Sequence, residues 1–191
     1  MERYEFDLDQ EMLKELGEEF DPLNFVKGLG LVEPRDLESA RTSFEKYGKS
    51  LALKSIEKGE EKPDRIYEVM KKAIEKTGEM NFPLIPQRYI EIAYLGIQPI
   101  RRLWVLLNNC KVFTFRLNDC NIYKAIEKEY GEEAARKMVC KHSCFAIIGE
   151  IFSYFGFKVD TLLEANMASN GKCQFKIEKR CKEGSNLYYR L

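Results

Sequence analysis

Histidine and tryptophan each occur once in this 191-residue chain, as His142 and Trp104, and the first 109 residues contain no cysteine. A single histidine rules out any site that needs two imidazoles, the HExxH zinc helix among them. Lys plus Arg (31) equals Asp plus Glu (31). The basic surplus that holds proteins to nucleic acid by counterion release is therefore missing, and no nucleic-acid partner is expected. No apolar run approaches the ~20 residues that span a bilayer, so membrane insertion is not expected. The start, Met1-Glu2-Arg3-Tyr4-Glu5, lacks the apolar core of a secretory signal, which predicts a cytoplasmic location. There is no Gly-rich phosphate loop, dinucleotide fingerprint or nucleophile elbow. Gly28-Leu29-Gly30 lacks a third glycine and lies between helical patterns. With 45% hydrophobic, 12% aromatic and 32% charged residues, the chain can bury roughly 70% of its unfolded surface without a staple.

Six cysteines are too few for a disulfide scaffold of this length. Core packing, metal ligation and redox chemistry remain, all confined to Cys110, Cys120, Cys140, Cys144, Cys173 and Cys181.

The first third reads as amphipathic helices. Leu8, Met12, Leu13 and Leu16 recur at helical spacing until Gly17, and Asn24 to Glu33 reads as a connection. A second helical stripe runs from Asp36 with Gly59 as its stop, and a third runs from Asp64 to Gly78. Near Met80 the texture changes. Tyr89 to Leu95, Arg102 to Leu107 and Lys111 to Leu117 read as strands, the last two joined as a hairpin at Asn108-Asn109. The Arg102 to Leu107 run is short enough to be helical instead. A helix over Cys120 to Tyr130 and a longer one over Glu132 to Phe155 follow. Strands at Phe157 to Leu163 and Lys172 to Lys179 come last. This order predicts an α+β fold: a mostly antiparallel sheet of about four strands packed against helices. An N-terminal helical segment over 1–80 and an α+β part over 81–191 are expected to form one compact unit.

Gly156, the strand Phe157 to Leu163, Glu164, Met167, Gly171, Cys173, Phe175 and Ile177 fall in an order that resembles the 4-vinyl reductase domain family. The resemblance covers roughly the last 110 residues. It implies a fold shared with transport-protein-particle subunits and a binding site for a small hydrophobic ligand. Met167 stands where the family's metal-binding members place a cysteine. Asn118-Asp119-Cys120 with Gly171-Lys172-Cys173-Gln174-Phe175 is also similar to 2-aminothiazoline-4-carboxylate hydrolase-like proteins. That similarity implies a thiol- or metal-dependent hydrolase of a small cyclic amide or thiazoline.

The candidate site residues follow from both sources. On a helix, Cys140 and Cys144 lie one turn apart, about 5–6 Å between side chains, a spacing that suits two soft ligands of a zinc ion. Glu164 and Cys173 would complete the set. His142, ~200° around the helix from Cys140, falls outside it. The competing reading makes these cysteines ordinary small core residues. Cys120, near a helix N-terminus, is the candidate thiol nucleophile, with His142 or Asp119 as its base. Tyr94, Trp104, Phe113, Phe115, Phe152 and Phe155 (with Tyr154 beside them) would line an apolar pocket between sheet and long helix. The expected role is a binding protein for a small apolar or aromatic ligand, with a structural zinc as an option. A hydrolase and an assembly subunit are the alternatives, and a homodimer is an admissible state.

Overall fold

The computed structural model describes residues 6–30, 40–78 and 82–180. Expectations that fall on 1–5, 31–39, 79–81 or 181–191, Cys181 included, lie outside the described residues.

Within the described residues the N-terminal part is helical. Helix α1 (Gln10–Glu19) starts where the Asp9 carboxylate accepts the Met12 N–H, and α2 (Pro22–Gly28) where Asp21 accepts that of Asn24. These caps satisfy backbone donors that a helix start leaves without partners. The stretch from Asn24 to Gly28, read as a connection, is therefore helical. Helix α3 (Arg41–Glu61) and helix α4 (Arg65–Thr77) follow, the latter capped by Asp64 and closed by Gly78 in the left-handed region, φ 70°. Gly17 and Gly59, read as stops, lie inside helices. A Cβ on Gly17 would meet the Gly96 carbonyl oxygen at 2.6 Å, and one on Gly59 would meet the Tyr89 ring at 2.7 Å. These glycines permit close helix crossings.

Tyr89 to Leu95 is not a strand. It belongs to helix α5 (Leu84–Ile97), buried on nearly every side. A helix covered all round loses the polar face that makes a 3.6-residue period visible, so its apolar run imitates a buried strand. Its polar residues are buried too, and each finds partners. Gln87 Nε2 donates to Glu91 Oε1 at 2.8 Å. Arg88, with no exposure, donates to Asp64 Oδ2 at 2.5 Å and to the carbonyls of Gly59 and Lys62 at 3.1 and 2.8 Å. Its guanidinium also lies 4.6 and 5.3 Å from the Tyr67 and Tyr89 ring centres.

Strands β1 (Trp104–Asn108) and β2 (Val112–Leu117) form the expected hairpin. Helix α6 (Asn121–Tyr130) matches its expected span. The single long helix over Glu132 to Phe155 is in fact two, α7 (Glu132–Arg136) and α8 (Lys141–Tyr154). Met138 between them has φ 55°, a left-handed conformation that a helix cannot continue through. The break turns Met138, Val139 and Cys140 into the core along with Ala134 and Ala135. Strand β3 (Val159–Ala165), the short helix α9 (Met167–Asn170) and strand β4 (Cys173–Lys179) complete the described chain.

The four strands form one antiparallel sheet in the order β1-β2-β4-β3. Phe113, Phe115 and Leu117 pair with Ile177, Phe175 and Cys173 and are buried on the inner face. Helices α5 and α8 cover that face through Tyr94 on Phe115 and Phe152 on Phe113. Helix α3 lies against α8 and α5, and α1 against α5. One hydrophobic cluster thus runs from α1 to the sheet, joining residues 6–78 with the α+β part.

Removing one partner of a buried ion pair leaves the other charge unpaired, a cost of about 3–5 kcal/mol. Arg88→Leu is expected to destabilise the fold by that amount in urea denaturation. A loss under ~1 kcal/mol would mean that Arg88 does not hold α3, α4 and α5 together.

Candidate functional site

Four thiols from distant parts of the chain are buried in the core: Cys120 before α6, Cys140 and Cys144 at the start of α8, and Cys173 at the start of β4. They lie close enough that charge on one disfavours charge on the others. Tyr94 stands among them, its hydroxyl against Cys144, fully buried and without a hydrogen bond of normal geometry. Burial raises every one of these thiols: Cys140 and Cys144 far up, Cys173 to about 12, and Cys120 upward as well. Near neutral pH all four are protonated.

Cys140 is the N-cap of α8, its backbone still in the right-handed helical region, and Cys144 follows one turn on within the helix. Among the described residues, no three His, Cys, Asp or Glu side chains are grouped to hold a metal ion, so the expected set of Cys140, Cys144, Glu164 and Cys173 is not assembled. Glu164 sits at an irregularity of β3 and accepts from Gln174 Nε2 at 2.8 Å on the exposed outer face. An alternating strand sends that carboxylate away from the inward-facing Cys173.

Cys120 is a helix cap. Its Sγ accepts the Tyr123 N–H at 3.5 Å and faces Gln98 Nε2 at 3.8 Å. These donors and the helix N-terminus favour a thiolate, but desolvation outweighs them. The nearest candidate base is engaged elsewhere: Asp119 holds Lys124 Nζ at 2.6 Å and the Cys120 N–H at 2.8 Å. His142 Nδ1 lies 3.8 Å from Glu45 of α3. A buried, neutral thiol without a free base has the chemistry of a cap.

The aromatic set divides. Phe113, Phe115 and Phe152 are buried in mutual contact with Tyr94, Phe82 and Phe175, at centroid separations of 5.3–6.5 Å. Rings at these separations interlock. Phe155 stacks on Tyr89 at 5.0 Å. Trp104 pairs with Arg116 on the opposite, outer face and is 43% exposed, so it cannot line a pocket under α8.

That outer face holds residues the sequence reading passed over. Leu106 and Leu107 of β1 and Leu162 of β3 are exposed. Register places Leu107, Thr114, Lys176 and Leu162 in one row across the sheet. Arg102 lies over the Trp104 ring at 5.0 Å, with exposed Arg101 beside it. The signal was present: from Ile92 to Asn118 there is no acidic residue, while Arg101, Arg102, Lys111 and Arg116 are basic.

Comparison with protein-family models, curated proteins and solved structures finds no match.

The raised thiols set a pH dependence. An unfolded cysteine loses its proton near pH 8.5, whereas these keep theirs to higher pH when folded. Above that point the native state binds more protons, so the stabilisation is complete below ~8.5 and is lost as pH rises, for Cys173 until about 12. Urea denaturation is expected to show falling stability between about pH 9 and 10. Cys173→Ala should reduce the slope by ~1.4 kcal/mol per pH unit, one proton's worth. An unchanged slope would place the Cys173 thiol in water.

Proposed function

We propose that this protein is an assembly module that docks another protein on the β1–β2 side of its sheet. The observation that carries this reading is the exposed group Trp104, Leu106 and Leu107 on a single edge strand. Scattered exposed apolar residues are ordinary, but neighbours gathered on one element mark interaction sites. Val69 on α4 and Leu53 on α3 are also exposed, each isolated in a charged helical face. The interlocked rings beneath α8 support the same reading, since residues expected to enclose a ligand are occupied with one another.

A second reading, binding of a small apolar or aromatic ligand, is favoured by the unpartnered Tyr94 hydroxyl. A buried hydroxyl without a partner costs about 1–3 kcal/mol, which a guest bearing an acceptor would recover. In the free protein Tyr94→Phe is then expected to be neutral or stabilising in thermal unfolding. A loss above ~1 kcal/mol would show that the hydroxyl is already satisfied.

Photo-crosslinking in living cells tests the assembly reading. A photoreactive residue at Leu107 is expected to give a discrete adduct identifiable by mass spectrometry, while one at Val69 gives none. Equal labelling at both positions, or none at Leu107, overturns the docking role.

A further inference from the structure

We infer that the occupant of this surface is a short, extended, acidic segment of another protein, laid along the free edge of β1. The inference rests on the docking role proposed above and names the chemistry of the partner. Strand β1 is outermost in the sheet, so the backbone groups it turns away from β2 have no strand to pair with among the described residues. Exposed edges are usually blunted by charge or proline. The other edge, β3, carries Asp160 and Glu164, whereas Trp104 to Asn108 carries neither charge nor proline. An irregularity between Val105 and Leu107 limits regular pairing to a few residues. A short segment fits such an edge. A long one does not.

Charge selects the occupant. Arg101 and Arg102 are exposed at the entry to β1, and the sequence from Ile92 to Asn118 holds no acid, in a chain that is neutral as a whole; the outer-face acids Glu164 and Glu178 lie on β3 and β4. Arg116 is held by Gln174, at 3.1 and 2.8 Å, and Arg102 by the Trp104 ring, which fixes positive charge beside the apolar group. A second copy paired β1 to β1 would bring two such basic hairpins together, and like charges repel. A second copy offering β3 would bring Asp160 already paired with Arg180, at 2.9 Å. That head-to-tail contact also leaves both outer edges open and continues without closing. An acidic strand from a different protein meets neither difficulty. Its backbone would pair with β1 while alternate side chains reach the arginines and the apolar group.

The test uses the full chain, isotopically labelled for NMR, with a blocked eight-residue peptide alternating glutamate and valine. Its counterpart has lysine for glutamate. The glutamate peptide is expected to shift the amides of 101–108 and the Trp104 indole, and to bind at least ~10-fold more weakly when salt rises from about 0.05 to 0.5 M, as screened charges require. The lysine peptide is expected not to bind. Arg101→Glu with Arg102→Glu, both at exposed positions, should weaken the glutamate peptide at least ~10-fold with the amide spectrum otherwise preserved. Equal binding of the two peptides, shifts away from the hairpin, or self-association through β1 without peptide would overturn the inference. If Leu107 gives an adduct but the glutamate peptide does not bind, docking stands and the acidic strand falls. If neither occurs, both fall.

Discussion

A guanidinium kept from water organises the helical half of this protein. Moving an ion of that size into the interior costs several kcal/mol unless its donors are all met. Arg88 meets that condition with groups from three places: the Asp64 carboxylate, and the carbonyls of Gly59 and Lys62 at the end of α3. The rings of Tyr67 and Tyr89 close over its faces. Asp64 is at once the counter-ion of α5 and the cap of α4, so the entry of one helix and the depth of another are set by one carboxylate. Gly59 must be small for Arg88 and Tyr89 to reach this point. With α5 fixed, its opposite side can serve as the floor of the sheet, where Tyr94 meets Phe115.

The sheet separates two chemistries. Its inner face joins aromatic rings to thiols that burial keeps neutral, and such groups react slowly because the thiolate is the reactive form. Its outer face mixes leucines, a tryptophan and arginines in contact with solvent. Reactivity and recognition normally reside where water and partners can reach, so Cys120, Cys140, Cys144 and Cys173 are placed to pack, and the docking role proposed for β1 falls to the side open to solvent.

The parts legible in the sequence are those with one face in water. Strand β4 alternates Cys173, Phe175 and Ile177 with Gln174, Lys176 and Glu178, and Asp64 marks the start of α4; both are found in the structure. Helix α5 escaped recognition because burial on all sides erased its period. The break at Met138 escaped because no glycine, proline or asparagine marks it; tertiary burial of Val139 and Cys140 overrides a helical sequence. The convergence of four cysteines was half legible. Their confinement to the C-terminal half was plain, but bringing Cys120 to Cys173 depends on the pairing of β2 with β4, which no local pattern specifies. Trp104 was placed inside by residue type, although β1 holds it on the open face.

That placement has an optical consequence. Trp104 is the sole indole of the chain, and it already meets solvent in the native state beside a guanidinium. Most proteins redden their emission on unfolding because a sheltered indole becomes wet. Here the environment before and after is similar, so intrinsic emission excited at the indole band would report little of the folding transition. The same fluorophore would turn blue when something dry covers β1. The chain carries a built-in dye that is nearly blind to its own unfolding and sensitive to what settles on its edge.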